Sequence, residues 1–155
     1  MAIKFIRKNR QIGVNDLFEN ILGNDKIKNE LINSVKQNKY SHSYLFLGTS
    51  GIGKRLIARE FAKMILCEGE EKYCGKCKSC LEFDSNNNPD FFEIEPDGNN
   101  VKIEQIREMQ RKIAEQPIIS EKKVYIINEA DTMTREAQNC LLKTLEEPPE
   151  FANII

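Results

Sequence analysis

Histidine is almost missing from this 155-residue chain, with His42 standing alone. One histidine suggests neither a histidine pair for a metal nor a Ser-His-Asp set. An excess of either charge is also missing. The 23 Lys+Arg and 24 Asp+Glu leave a net charge of −1, so bulk charge argues neither for nor against nucleic acid. Any DNA contact must come from a local patch. No apolar run approaches the length of a membrane span. The start, Met1-Ala2-Ile3-Lys4-Phe5, lacks the long apolar core of a signal peptide, so a cytoplasmic location is expected. Internal repeats and low-complexity tracts are absent too. What is present is enough apolar content, 40%, to bury one core as a single domain. Five cysteines in such a chain suggest metal or reduced thiols more than disulfides.

Along the chain, Ile3 to Arg10 reads as a short basic arm and Asn15 to Leu22 as a turn. Asp25 to Asn38 is expected to be helical, with Ile27, Leu31, Ile32 and Val35 on one face and Gly23-Asn24 as the start signal. A buried strand is expected at Tyr44-Leu45-Phe46-Leu47. The following helix, from about Gly53 to Cys67, turns Leu56, Ile57, Phe61, Met64 and Ile65 inward. A cysteine-bearing insertion comes next, closed by the polar run Asp84 to Asp90. Phe91 to Glu95 reads as a second strand. Val101 to Glu115 reads as a helix with Ile103, Ile106, Met109 and Ile113 inward, and Pro117 prevents its extension. Lys122 to Asn128 is a third strand, too uniformly apolar for a sheet covered on one side. A last helix, from about Thr134 to Glu147, turns Ala137, Leu141, Leu142 and Leu145 inward and stops at Pro148-Pro149. Phe151 to Ile155 has the look of a further buried strand beginning, as in a piece of a longer protein. Alternating strands and helices predict an α/β fold, a mostly parallel sheet with helices on both faces.

Between the first strand and its helix lies Gly48-Thr49-Ser50-Gly51-Ile52-Gly53-Lys54-Arg55. This is the layout of a phosphate-binding P-loop, G-x-x-x-x-G-K-[ST], at every position but the last. Glycines let the loop curl its N–H groups toward phosphate oxygens. The helix N-terminus adds its positive end, and Lys54 adds a point charge. The bland alternative is a glycine-rich turn that binds nothing. The eighth position should carry a hydroxyl that ligates magnesium; here it is Arg55.

A second departure concerns the same ion. Val124-Tyr125-Ile126-Ile127-Asn128-Glu129 has the shape of a Walker B strand, which ends in a magnesium-holding aspartate and a water-polarising glutamate. Glu129 is present, but the aspartate position is Asn128, which offers only a neutral carbonyl to a hard cation. An Arg55 guanidinium about 4 Å from magnesium would be repelled by roughly 8 kcal/mol at an effective dielectric of about 20, unless it swung away. Little or no magnesium-dependent ATP hydrolysis is expected, while weak ATP or ADP binding through the loop and Lys54 is compatible with the residues.

Cys67-(x6)-Cys74-x2-Cys77-x2-Cys80 offers four thiolates that can close a tetrahedral, structural zinc site. A C-x-x-C redox pair would leave two cysteines unemployed. Bound zinc would supply on the order of 10 kcal/mol toward folding this core-poor insertion. Cys140, on the last helix, reads as a buried packing thiol. His42 reads as a strand-start residue, or as a neighbour of a nucleotide base. Lys102, Arg107, Arg111, Lys112 and Arg135 read as solvated charges, or as contacts to DNA phosphates.

Several of these motifs, in this order, resemble the AAA+ subunits of the bacterial clamp loader. They are His42 to Gly48, the P-loop, the four-cysteine insertion, Val124 to Glu129, and Asn139-Cys140-Leu141-Leu142-Lys143-Thr144-Leu145-Glu146-Glu147-Pro148-Pro149. The resemblance covers about Phe18 to Ile155. It implies a P-loop AAA+ domain interrupted by a small zinc module at about 67–80. It also implies a role in DNA replication, in the hetero-pentamer that opens a sliding clamp and places it on primed DNA for DNA polymerase III. Within that family Arg55 and Asn128 make the chain look like the delta-prime type, a stator-like partner of gamma/tau and delta with degraded nucleotide motifs. By the same resemblance, residues 1–155 would be part of a longer subunit. The rest of the AAA+ module, its Ser-Arg-Cys arginine finger and the C-terminal collar domain would lie elsewhere. Two other readings compete with it. One is an active gamma/tau-type ATPase that tolerates Arg55 and Asn128. The other is a zinc-ribbon nucleic-acid binder using Lys72, Lys76 and Lys78, with Tyr73 and Phe83 as stacking groups.

Overall fold

The computed structural model describes Phe18 and residues 21–155. The arm expected over Ile3–Arg10, and most of the expected turn from Asn15 to Leu22, lie outside the described residues. The sheet is parallel and runs in the order β1 (Phe91–Ile94), β2 (Lys123–Ile127), β3 (Ala152–Ile154). Phe91 stands beside Val124, and Lys123 beside Ala152. Five α-helices accompany it among the described residues: α1 (Asp25–Lys36), α2 (Lys54–Leu66), α3 (Lys78–Asp84), α4 (Ile103–Ile113) and α5 (Arg135–Glu146).

The central strand explains the layering. All five residues of β2 are buried, and their side chains alternate between two cores because successive residues of a strand point to opposite faces. Val124 and Ile126 join Leu31, Val35, Ile57, Phe61, Met64 and Ile65 of α1 and α2. Tyr125 and Ile127 join Ile106, Met109, Ile113, Ala137 and Leu141 of α4 and α5. The uniformly apolar run was therefore a sound sign of a strand covered on both faces.

Three expectations need correction. The run Tyr44–Leu47 forms no strand ladder. Its pairing shrinks to one bridge, Ser43 with Ile154, closed by Tyr44 N–H to Ile154 O at 2.9 Å and Ile154 N–H to His42 O at 2.8 Å. The partner, β3, offers only three residues to pair with. The alternation survives the loss of the ladder: Tyr44 and Phe46 pack on the first core, while Leu45 and Leu47 are 72% and 83% exposed. Second, Ile27, Leu56 and Leu142 are exposed rather than inward. Each lies off the buried stripe of its helix. Third, the insertion contains a helix, α3, that the polar composition concealed.

The amino ends of β1 and β2 are tied by a buried polar knot. Asp90, fully buried, accepts three backbone N–H groups of the loop before β2: Ile118 at 2.7 Å, Ile119 at 2.7 Å and Ser120 at 2.8 Å. Ser120 Oγ donates to Leu66 O at the end of α2 and lies 2.9 Å from Ser79 Oγ of α3. Asn88 completes the knot, donating to Ser79 O at 2.9 Å and accepting from Asp90 N–H at 2.9 Å. Charge-assisted bonds of this kind are the costly ones to lose, because the buried donors are left unpaired. Asp90→Ala is expected to cost about 3 kcal/mol in urea unfolding, and Asp90→Asn less. An unchanged unfolding midpoint for Asp90→Ala would refute the role assigned to the knot.

Candidate functional site

At the carboxyl ends of the strands, the opposite end of the sheet from the knot, lies a cleft of about 780 Å³. Open α/β sheets place ligands at this end. Gly48, Ser50, Gly51, Gly53, Lys54 and Arg55 line it from the loop and α2. Asn128, Glu129 and Glu95 line it from the sheet. The fold thus brings together most of the expected phosphate-site residues. Thr49 and Ile52 sit in the same loop, closed by Ile52 N–H to Thr49 O at 3.4 Å. Gly53 caps α2 at φ 94°, a left-handed value that strains any residue with a Cβ. Lys54 Nζ crosses the loop and donates to Gly48 O at 2.7 Å and Thr49 O at 3.0 Å. Glu129 is exposed, with a left-handed backbone at φ 49°, and opens the short 3-10 turn Ala130–Thr132. His42 is also exposed and does not line the cleft.

The two departures from a metal-binding P-loop meet on one carboxylate. Glu93, on β1, accepts Arg55 Nε at 2.7 Å and Asn128 Nδ2 at 2.7 Å on the same oxygen, Oε1. Its other oxygen accepts Arg59. Glu95 Oε1 takes the other end of the Arg55 guanidinium at 2.6 Å and Asn128 Nδ2 at 3.2 Å. Arg59 is fixed in turn by Asn86 Oδ1 at 2.8 Å and lies over the rings of Phe83 and Phe91. Arg55 has swung toward β1, and the repulsion anticipated against a metal is relieved by two carboxylates. Asn128 serves as a donor. Both of its neighbours are carboxylates, so its amide N–H2 turns to them, and an aspartate there would set three carboxylates together.

Magnesium does not fit this arrangement. The two positions that should give it a hydroxyl and an aspartate oxygen carry a guanidinium and an amide donor instead. Burial disfavours the charged form of Glu93. The hydrogen bonds from Arg55 and Asn128 and the positive charge of Arg59 more than offset that, holding its carboxyl below the usual range. Sequence reasoning missed Glu93, Glu95 and Arg59. The available signal was the pair of acidic residues at the carboxyl end of β1, spaced to share one face.

The second cluster is the four-cysteine module. The sulfurs of Cys67, Cys74, Cys77 and Cys80 all lie within 4.8 Å of one another, with Cys67 to Cys74 at 3.6 Å and Cys67 to Cys77 at 4.0 Å. A tetrahedron of thiolates about 2.3 Å from zinc has edges of about 3.8 Å, so the donor set could hold such an ion. Backbone N–H groups of Cys74, Cys77 and Cys80 point at the sulfurs of Cys67, Cys74 and Cys77 at 3.3, 3.3 and 3.4 Å. Cys77 also caps α3, so C-x-x-C does start a helix, but four converging sulfurs serve a metal better than a redox pair. A hydrogen bond with Cys80 and the N–H of Cys74 outweigh burial and hold the Cys67 thiol down to about 4. The same Cys67 contact, with burial, pushes Cys80 up. Gly69 is required by close approach, since a Cβ there would meet the Cys74 side chain at 2.9 Å.

The remaining candidates are placed less suggestively. Tyr73 and Phe83, expected as stacking groups, are buried in the first core and cannot receive bases. Lys72 Nζ donates to Cys67 O at 2.8 Å. Lys102 pairs with Asp97, and Arg111 and Lys112 pair with Glu108. Cys140 is half-buried rather than buried and lies 3.1 Å from Gln110 Oε1, linking α5 to α4. No helix among the described residues is long and apolar enough to cross a membrane.

A glycine loop feeding a helix at the carboxyl end of a parallel sheet defines an α/β domain of the P-loop type. Residues 23–155 match the family model described as "DNA polymerase III, delta subunit". The chain belongs to the DNA polymerase III clamp-loader subunit family. It is 43% identical over 119 residues to DNA polymerase III subunit delta' of Bacillus subtilis, covering 76% of this chain and 36% of that protein. It is 38% identical over 140 residues to DNA polymerase III subunit tau/gamma of Haemophilus influenzae, covering 89% of this chain and 20% of that one. The chain therefore spans between a fifth and somewhat over a third of these relatives. A crystal structure of a DNA polymerase III gamma subunit-related protein from Thermotoga maritima superposes with a TM-score of 0.52 at 26% identity, over 84% of this chain and 37% of that one.

The Glu93 cluster has a stability signature. Glu93→Gln is expected to cost about 2 kcal/mol at pH 7 in urea unfolding. The native carboxyl titrates lower than the unfolded one. The wild-type advantage should therefore be full above the unfolded value of about 4.3 and be lost as the pH falls through the lower native one. A difference that persists unchanged below that range would contradict the assignment.

Proposed function

We propose that this chain is the nucleotide-site portion of a delta-prime-type clamp-loader subunit: a stator that hydrolyses little or no ATP itself. The observation that carries the reading is the cluster in which Arg55 and Asn128 both donate to Glu93 and Glu95. The cation that a P-loop ATPase uses to charge-balance its transition state would find neither its hydroxyl ligand at position 55 nor its aspartate at position 128. Residual contacts to ATP or ADP would come from the loop, residues 48–53, and Lys54. Residues 1–155 would form part of an AAA+ module, with the module at about 67–80 holding a structural zinc on Cys67, Cys74, Cys77 and Cys80. Its partners would be gamma/tau and delta subunits in a hetero-pentamer. The assembly would meet the sliding clamp and primed DNA in the cytoplasm during DNA replication.

The alternative, an active gamma/tau-type ATPase, is favoured by one feature, the retained Glu129. A magnesium-dependent ATPase assay on the full-length subunit alone separates the two. We expect no turnover above background and no change on Lys54→Ala. Turnover that disappears on Lys54→Ala would reject the stator reading. The metal assignment is tested separately by elemental analysis, with one zinc per chain expected and lost in Cys74→Ser. Removal of the zinc should lower the unfolding midpoint, because binding energy here is folding energy. Purified chain that carries no metal and is indifferent to added zinc would refute it.

A further inference from the structure

We infer that the Lys54 cradle takes nucleoside polyphosphates as their metal-free anions, with the Arg55–Glu93–Glu95–Asn128 cluster standing in the divalent cation's place and setting that preference. The inference rests on the proposed delta-prime-type reading and extends it to the ligand. In a working P-loop the residue after the lysine gives an oxygen to magnesium, so the nucleotide arrives with its cation. Here that residue is a cation, and it is already engaged: Nε is held by Glu93 at 2.7 Å and the terminal nitrogen by Glu95 at 2.6 Å.

The Walker B position reinforces the exclusion. Asn128 turns N–H groups, not oxygens, toward the same two carboxylates, at 2.7 and 3.2 Å. Arg59 neutralises the remaining oxygen of Glu93. Two guanidiniums thus balance the carboxylates of Glu93 and Glu95, while Glu129 and Asp131 line the cleft farther along. The Glu93 side chain is 12% exposed, whereas Arg55 and Glu95 are 54% and 49% exposed, so Glu93 is the sheltered anchor of the cluster. A magnesium–nucleotide complex would have to bring its ion against Arg55 and would lack the hydroxyl and the aspartate that a P-loop supplies at positions 55 and 128. The bare polyphosphate meets Lys54, the loop and the outer edge of Arg55 without having to place an ion beside that guanidinium. The substrate preference of the cleft is therefore the reverse of that of a metal-dependent NTPase.

Isothermal titration of the full-length wild-type subunit with ATP and ADP tests this. Titrations are run in magnesium-free buffer and again with magnesium in excess. Magnesium is removed by resin rather than by chelator, so the four-thiol module is undisturbed. The expected result is affinity without magnesium equal to, or tighter than, affinity with it. Arg55→Thr/Asn128→Asp should reverse the order to about tenfold tighter binding with magnesium, because it restores a hydroxyl and an aspartate beside Glu95 and Glu129 in the cleft. The wild-type comparison decides the matter even if that variant fails to fold. Wild-type binding tightened more than twofold by magnesium would overturn the inference, as would no saturable binding of either nucleotide at about 1 mM. Either result without ATP turnover would leave the non-hydrolysing reading standing; turnover would remove both.

Discussion

The carboxylate of Glu93 is the one acceptor on which the cleft depends. It draws together a residue from the first turn of α2, a residue one helical turn further along, and the residue that follows the central strand. Arg55 by itself would be poorly placed, because a cation in the first turn of a helix faces the positive end of the helix dipole. α2 has no acidic residue in its first turn to compensate. Glu93 supplies that negative charge from the neighbouring strand. It is itself kept ionised against burial by the groups it receives. Each member therefore makes the others tolerable, and removing Glu93 leaves both guanidiniums without their shared acceptor.

The sheet makes this possible through register. Parallel pairing sets Ile94 beside Ile127, so Glu93 and Glu95 flank the level at which Asn128 leaves β2. Asn128 N–H donates to Ile94 O at 2.9 Å, which continues the ladder one residue past the strand and fixes the amide between the two acids. At the other end, Asp90 and its three N–H donors hold the loop that delivers β2. The four-thiol module is joined to that end through Ser79 and Ser120. Four-thiol module and glycine-loop cleft thus sit at opposite ends of the same strands, each with its own polar support.

Much of this was written in local sequence. The uniform run Val124–Ile127 announced a strand buried on both faces, and the spacing of four cysteines announced a convergent donor set. The glycine loop announced the cleft, and even the mismatch at Arg55 and Asn128 could be read without coordinates. What could not be read was where Arg55 goes, since its partner Glu93 lies 38 residues away and nothing local encodes that contact. Helix α3 escaped because seven residues give too little periodicity and its cap is a cysteine. Tyr44–Leu47 has the alternation of a strand, but ladder formation depends on what lies alongside, and β3 offers it a single bridge. Leu56 reads as core by hydropathy, yet it lies on the cleft side of α2.

The central claim is that a guanidinium–carboxylate cluster has taken the place of a divalent cation. Its most direct test is anomalous diffraction at the manganese edge, from crystals of the full-length subunit grown with ADP and manganese. The account expects no anomalous peak between Lys54 and Asn128, and Arg55 still bonded to Glu93. A manganese ion seated there on nucleotide and protein oxygens, with Arg55 turned out to solvent, would contradict it.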